Sequence, residues 1–297
     1  MLKRGAGDTF LETEQTFHMG LGGRNQWDAH IHGNGRFVID GWTFGMNNNL
    51  LTVAGGGVVT NGPIHVGFTY TGREGNYTNN VFEVTDGGAV YSTGEFRVGY
   101  STSWTVSYNR CHDNSVRVAS GTGKPSVWNS NNGNIVTGWQ TAAPRENYFT
   151  TNNSLRLGFG GIVTNVNTVQ IGNENAPDNR LSLEGGELFC NTLNIFDGNI
   201  LAPALSPDGI LPAQVAGTAT CGVGAKVVPS ITDDSAIGRY ALVTADNIVL
   251  PHPDPNTMLA GLPENYVWRL RITKDAQTSS DTLWLTCSKP GTVFIIK

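Results

Sequence analysis

The sequence of 297 residues is poor in charge and lacks any long apolar run. Only 14% of its residues are charged, the net charge is −5, and Lys and Arg gather into no basic stretch. Because phosphate recognition needs clustered cations, we expect no nucleic-acid partner. No segment approaches the ~18 consecutive apolar residues of a membrane-spanning helix, so no membrane span is predicted.

Cysteine is also scarce, and the four residues contain no Cys-x-x-Cys pair, so no zinc site is predicted. Cys221 and Cys287 could form a disulfide, or both could be buried free thiols. Met1 is not followed by the apolar stretch of a secretory signal. We interpret the chain as intracellular or, preferably, as a mature or truncated piece, because the repeat is already under way near Phe17.

No glycine-rich phosphate loop opens a helix, and no serine nucleophile elbow occurs. These absences remove the usual signals for nucleotide binding and for acyl transfer. The sequence therefore predicts no cofactor and no catalytic residue.

Glycine, in contrast, is abundant at 38 residues, and one short phrase recurs five times. Each copy begins with Asn or Asp, continues with Asn, and then alternates apolar and polar residues. The copies cover residues 48–53, 79–84, 113–118, 152–157 and 178–183, and their first residues are 31, 34, 39 and 26 positions apart. Repeats at such periods are typical of solenoids.

Each repeat contains three short strand signals. The first alternates, as in Phe82-Glu83-Val84, and a glycine-rich turn usually follows. The second offers an apolar residue such as Val90, and the third again alternates and ends in glycine, as in Phe96-Arg97-Val98-Gly99. The third signature is also predicted at residues 17–20, 42–45 and 193–196. Two inner columns are expected: Leu51, Phe82, Val116, Leu155 and Leu181, and Val53, Val84, Val118, Leu157 and Leu183.

These patterns predict an all-β fold, a right-handed parallel β-helix (β-solenoid) with a C-terminal capping strand region. Residues 1–200 form the repeat region, and residues 201–297 form a cap of strands that continues the solenoid and shields its last coil. A sandwich or barrel of antiparallel strands would also tolerate glycine-rich turns. Hairpins, however, do not predict a threefold strand signature that recurs in register.

Extra residues enter each repeat at one place, directly after the third-strand glycine. These insertions cover residues 46–47, 68–78, 100–112, 139–151 and 173–177. In a solenoid they emerge on a common face, which is often the binding face, and their aromatic and arginine side chains suit sugar or protein contact. The predicted ligand-binding residues are Phe68, Tyr70, Tyr100, Trp104, Tyr108, Trp139, Tyr148, Arg73, Arg110 and Arg145. Alternatively, the aromatics pack on one another, with Phe68, Tyr100 and Trp139 forming a ladder.

The rhythm of Asn-Asn-x-Leu-x-Val, Gly-Gly-x-Val and x-x-Val-Gly resembles the autotransporter-associated β-strand repeat proteins of bacteria. The strands at residues 238–243 and 281–285 are similar to the closing segment of such proteins, and the likeness spans about residues 15–297. The resemblance implies an extracellular or cell-surface location and an adhesive or scaffolding role, with a glycan or surface protein as partner. It brings no catalytic residues.

Two other kinds of site remain open. Asp28, His30 and His32 alternate along one predicted strand and are weak candidates for a metal site, against the simpler interpretation as a polar outer face. Glu83 and Arg117 share an outward position on consecutive coils, which is the arrangement of a polysaccharide lyase on a β-helix. The alternative there is a surface ion pair.

The functional prediction is therefore a non-catalytic, adhesin-like or scaffolding β-helix. A polysaccharide lyase or other carbohydrate-active enzyme on the same scaffold is the first alternative. Carboxylates for a glycosidase, Glu74, Asp113 and Glu146, come from different insertions, and the sequence does not fix their separation. A trimeric phage tailspike is the second alternative, by analogy of fold alone, and the mass in solution tests it.

Overall fold

The computed structural model describes residues 17–18, 24–27, 31–32, 37–39, 46–47, 50–61, 64–69, 75–102, 109–144, 146, 148–233 and 236–291. Within these residues, regular structure consists of β-strands and one short 3₁₀ helix, η1 (Pro255–Met258). Strands are numbered along the chain. They wind into successive coils, each of which contributes one strand to each of several parallel ladders.

The first ladder contains the repeated phrase, and its strands pair in parallel with the equivalent strand of the next coil. They are β2 (Arg24–Trp27), β6 (Leu50–Val53), β10 (Val81–Val84), β14 (Ser115–Val118), β18 (Ser154–Gly158), β20 (Arg180–Glu184), β22 (Ile200–Leu205) and β24 (Lys226–Val227). A two-residue strand, β25 (Ser230–Ile231), also pairs with β22.

The second and third ladders are separate in the early coils and merge later. The second contains β3 (Ile31–His32), β7 (Val58–Asn61), β11 (Ala89–Ser92) and β15 (Ser126–Asn129), and the third contains β1 (Phe17–His18), β4 (Phe37–Ile39), β8 (Ile64–Thr69), β12 (Phe96–Ser101) and β16 (Ile135–Gln140). From β19 (Gly161–Ile171) onward one bulged strand runs through both positions, as in β21 (Glu187–Ile195), β23 (Ala213–Cys221) and β26 (Gly238–Val249).

The predicted inner columns are confirmed. Phe82 lies between Leu51 and Val116 in the first ladder, and the column continues through Leu155 and Leu181. The second predicted column, from Val53 to Leu183, is in register in the same pairings. Its members are fully buried, because alternation along each strand turns these side chains toward the interior. The protein is thus a parallel β-helix.

One part of the predicted repeat lies outside the described residues, and another differs from the structure. Residues 42–45, predicted as a third strand, are not described, while β4 pairs with β8 in the third ladder through Phe37 and Ile64. The coil after Val118 has a complete second strand, β15, for which the sequence pattern gave no prediction. Its Trp128 is fully buried in the position that valine occupies elsewhere, and its ring centroid lies 4.2 Å from that of Phe96.

The repeated Asn forms a buried ladder, which explains why the phrase recurs. Five asparagines, one per coil, are fully buried: Asn80, Asn114, Asn153, Asn179 and Asn199. In the last four of these, the side-chain oxygen accepts from the backbone N–H and the side-chain amide of the Asn one coil earlier, at 2.8–3.2 Å. The preceding residue adopts a positive φ of 55–71°, which Asn, Asp and Gly accommodate best.

The glycine of the third strand, which lies two residues before the end of β8, β12 and β16, is required by this ladder. A Cβ atom on Gly138 would lie 2.0 Å from Cγ of Asn179, and the glycine has a φ of +74°. Gly99 meets Asn153 in the same way. Each third-strand glycine therefore packs on the Asn that follows the insertion of the next coil, and this contact fixes the start of one insertion against the end of the next.

The winding continues beyond residue 200, where the repeat fades. β23 pairs in parallel with β21 and with β26, so the second and third ladders extend to the last coil. An antiparallel hairpin of β27 (Val267–Lys274) and β28 (Asp281–Ser288) then pairs with β26. These strands extend the sheet beyond the last parallel strand, and Leu270 and Leu285 are buried in the same core. The end of the predicted cap, residues 292–297, lies outside the described part of the chain.

Candidate functional site

The insertions form a small sheet of their own, which we call the insertion sheet. It contains β5 (Met46–Asn47), β9 (Gly75–Thr78), β13 (Asn109–His112) and β17 (Tyr148–Thr151), all paired in parallel. Each strand is the returning end of an insertion, directly before the repeated phrase. The prediction that the insertions share one corner of the solenoid is confirmed.

The inner face of the insertion sheet is tightly packed. Tyr148 is 3% exposed, and its hydroxyl lies 3.3 Å from Oγ of Ser101, which also accepts from the side-chain amide of Asn109. The Cys111 thiol donates to the carbonyl of Gly67 at 2.8 Å. Tyr148 is therefore placed in the interior of the insertion, where it stabilises the sheet, rather than on the presented surface.

A second group of side chains covers the outer face of the third ladder, and we call it the outer stack. Trp139 lies parallel to Tyr100, with ring centroids 5.8 Å apart and an interplanar angle of 9°. Val136 packs beneath them, and the guanidinium of Arg97 lies 4.1 Å from the Tyr100 ring centroid. Tyr100 is 9% exposed and Trp139 is half-buried, so the predicted aromatic ladder is confirmed for this pair.

Burial also affects the chemistry of the Tyr100 hydroxyl. Desolvation raises its pKa, Arg97 opposes this and nearby Glu95 adds to it. Arg97 is itself paired with Glu95. Tyr100 therefore stays a neutral phenol at physiological pH, and the outer stack presents an aromatic surface with a fixed cation at its edge.

The outer face of the insertion sheet carries a third group, which combines an aromatic ring with polar side chains. The guanidinium of Arg110 lies 5.6 Å from the Phe149 ring centroid, and the His112 ring lies 5.5 Å from the same ring. Nδ1 of His112 is 2.5 Å from a carboxylate oxygen of Asp113. All four side chains are partly or largely exposed, so this cluster can contact a ligand directly.

The structure thus divides the predicted ligand-binding residues. It places Trp139 and Arg110 partly at the surface, Tyr100 at its margin, and Tyr148 in the interior. Phe68 pairs with Tyr100 along the backbone of the third ladder. Five of the predicted residues lie outside the described residues: Tyr70, Arg73, Trp104, Tyr108 and Arg145. The grouping of His112 and Asp113 with Phe149 does not follow from the sequence alone, because it depends on the register between β13 and β17.

The row proposed for a lyase is also visible. Glu83, Arg117 and Arg156 occupy consecutive positions of the first ladder. Among the described residues of this ladder, the ion pair joins Arg156 to Glu184 and not Glu83 to Arg117. Nε of Arg156 lies 2.9 Å from Oε1 of Glu184. Gln26 and Thr52 precede Glu83 in this row, and Ser182 follows Arg156. The row from Gln26 to Ser182 therefore contains one acid.

Of the three residues predicted as weak candidates for a metal site, the structure describes only His32. Asp28 and His30 lie outside the described residues. His32 belongs to β3, in the second ladder, whereas β2 ends at Trp27 in the first ladder. Within the described ranges, His, Cys, Asp and Glu form no group of three or more that is arranged to hold a metal ion.

The cysteines are buried free thiols, so Cys221 and Cys287 form no disulfide. Desolvation raises the pKa of Cys190 and of Cys221 to about 12, and that of Cys287 to about 11. Because the thiolate is the reactive form, these three residues are unsuited to nucleophilic catalysis at neutral pH.

Comparison of the chain with models of known protein families finds no match, and comparison with curated proteins finds none either. In the part of the chain that the structure describes, no helix has the length and apolar character needed to cross a membrane.

Proposed function

We propose that the protein is a non-catalytic β-helical module of a bacterial cell surface, which binds glycan or protein through the side of the solenoid that carries the insertions. The observation that carries this proposal is the insertion sheet itself. Four insertions are held in register by parallel pairing, and their partly exposed side chains combine aromatic rings with an arginine. Such surfaces favour sugar stacking and protein contact.

The scaffold supports a binding role because it fixes both ends of each insertion. The returning strand is followed at once by the buried Asn ladder, and the outgoing strand passes the glycine that packs on that ladder. Preorganised side chains lose little conformational entropy when a ligand binds. The resemblance of the repeat to autotransporter-associated proteins supports the location outside the cell.

A glycan array and a panel of bacterial and host surface proteins test the proposal. Trp139→Ala and Arg110→Gln should each weaken binding by about tenfold, since aromatic and arginine side chains dominate such interfaces. Phe159→Ala is the matched control, because Phe159 is an aromatic residue of the first corner that is 72% exposed. Equal losses in all three variants, or binding that none of them weakens, would contradict the proposal.

The same preparation separates binding from catalysis. Incubation with polyuronates should leave the polymer length unchanged. If unsaturated products form, and if Glu83→Gln abolishes them while Glu187→Gln does not, the lyase interpretation replaces the one proposed.

A further inference from the structure

The exposed face of the C-terminal cap is rich in arginine, although the net charge of the whole chain is −5. β26, β28 and β27 lie side by side, and their outward residues form cross-strand rows. The rows contain Arg239, Thr286 and Arg269, and then Ala241, Trp284 and Arg271. Since neighbouring strands lie about 4.8 Å apart, the three arginines surround Trp284 within roughly 10 Å of one another.

These arginines have no carboxylate partner among the described residues. The ion pairs there involve other side chains, and Arg269 and Arg271 are exposed without any ion pair. Arg239 is also exposed, and its guanidinium lies 3.9 Å from the Trp284 ring centroid. A guanidinium that stacks through its flat face keeps its in-plane N–H donors free for an anion.

Trp284 is fixed in place by its neighbours. Its Nε1–H donates to Oγ1 of Thr273 at 2.8 Å, so the ring orientation is set by a hydrogen bond as well as by Arg239. The ring is partly exposed, and the hydroxyl-bearing side chains of Thr282 and Thr286 are its neighbours on the same strand. The surface therefore offers a ring, hydroxyl groups and forked cations together.

We propose that this face of the cap binds an acidic polysaccharide, one that carries carboxylate or sulfate groups. Arginine forks match the geometry of these anions, and a half-exposed indole suits the apolar face of a sugar ring. The field of the patch is local, because screening at physiological salt acts over about 8 Å. The net charge of −5 therefore does not cancel it.

An extended acidic peptide fits less well. It would add to the free edge of β27, which is the outermost strand of the sheet. That edge is already occupied near its middle, where the backbone N–H of Leu270 donates to Oδ1 of Asn256 at 2.8 Å. The available surface is the side-chain face and not the backbone edge, which favours a polysaccharide over an added strand.

The proposal concerns residues of the cap and does not rest on the role of the insertions. Its test uses the full chain, with polygalacturonate and dextran sulfate as probes and neutral dextran, a single-stranded oligonucleotide and poly-glutamate for comparison. The variant is Arg239→Gln/Arg269→Gln/Arg271→Gln. The charge-matched control is Arg156→Gln/Arg180→Gln/Lys226→Gln, three exposed cations elsewhere on the solenoid.

We expect the wild type to bind both acidic polysaccharides and not neutral dextran. The cap variant should bind them at least about tenfold more weakly, and the control should stay within about twofold, since charge-assisted hydrogen bonds are lost only in the former. Unchanged affinity of the cap variant, equal losses in both variants, or no binding by the wild type would overturn the proposal. So would tighter binding of the oligonucleotide or of poly-glutamate, because each identifies another class of partner.

Discussion

Replacement of one buried asparagine should show how strongly the Asn ladder holds the coils together. Asn153 lies in the middle of the ladder and is fully buried. Its side-chain oxygen accepts from the backbone N–H of Asn114 at 3.1 Å and from the Asn114 amide at 2.9 Å. Its own amide donates to the carbonyl of Cys111 and to Oδ1 of Asn179. Asn153→Ala removes all of these bonds.

The expected cost follows from the groups left without partners. The backbone N–H of Asn114 loses its acceptor inside the protein, which costs about 1–3 kcal/mol. The carbonyl of Cys111 loses a donor, and the missing amide leaves a small cavity that adds to the loss. Together these effects should lower the free energy of unfolding by roughly 3–5 kcal/mol.

Two measurements are needed, because a solenoid can open coil by coil. Guanidinium unfolding gives the global change, and hydrogen exchange at Asn114 reports the local one. Asn191→Ala is the control, since Asn191 is an exposed asparagine of β21. A loss below about 1 kcal/mol in Asn153→Ala, with unchanged exchange at Asn114, would refute the ladder argument.

Three further outcomes are expected. Gly138→Ala should lower the free energy of unfolding by about 2 kcal/mol more than Gly209→Ala, measured by thermal or chemical unfolding. Both glycines have a positive φ, but only Gly138 faces the Asn179 side chain, so equal losses of stability would contradict this. All four thiols should be unreactive toward a disulfide reagent at pH 8 in the folded protein and reactive after unfolding, because they are buried and because burial raises the pKa of residues such as Cys190. Rapid reaction of one thiol in the native state would contradict this. The backbone N–H groups that bind Asp275 lower its pKa, so their stabilisation is fully present above the ordinary Asp pKa and is lost as pH falls from there through the lowered pKa. Asp275→Asn should flatten that part of the pH–stability curve, and an unchanged curve would count against this reasoning.

Much of the fold could be predicted because the β-helix repeats one local rule. Alternation in Phe82-Glu83-Val84 and its counterparts fixes which side chains face inward, and equal phrases stack on equal phrases. The prediction failed where a coil breaks the local rule. The second strand with Trp128 was missed because a large aromatic residue occupies the position of a valine, and only the space left by neighbouring coils shows that it fits.

The site was predictable to a lesser extent. The insertions and their common corner follow from where the spacing varies, yet the sequence does not distinguish Tyr148, which packs inward, from Trp139, which reaches the surface. That difference depends on the register of the insertion sheet. The cap arginines show the same limit, since Arg239 is thirty positions away from Arg269 along the chain and becomes its neighbour only through β28.

By itself, then, the amino-acid sequence determined the winding of the chain, the inner columns and the corner at which the insertions emerge. These depend on period-two alternation and on spacing, which are properties of neighbouring residues. The tertiary structure alone decided that the repeated asparagines bond from coil to coil, that the thiols are too deeply buried to react, and which cations share a surface. Those outcomes depend on contacts between residues that are distant in sequence. A buried polar group is stable only when it is hydrogen-bonded, whereas an exposed charge is solvated by water.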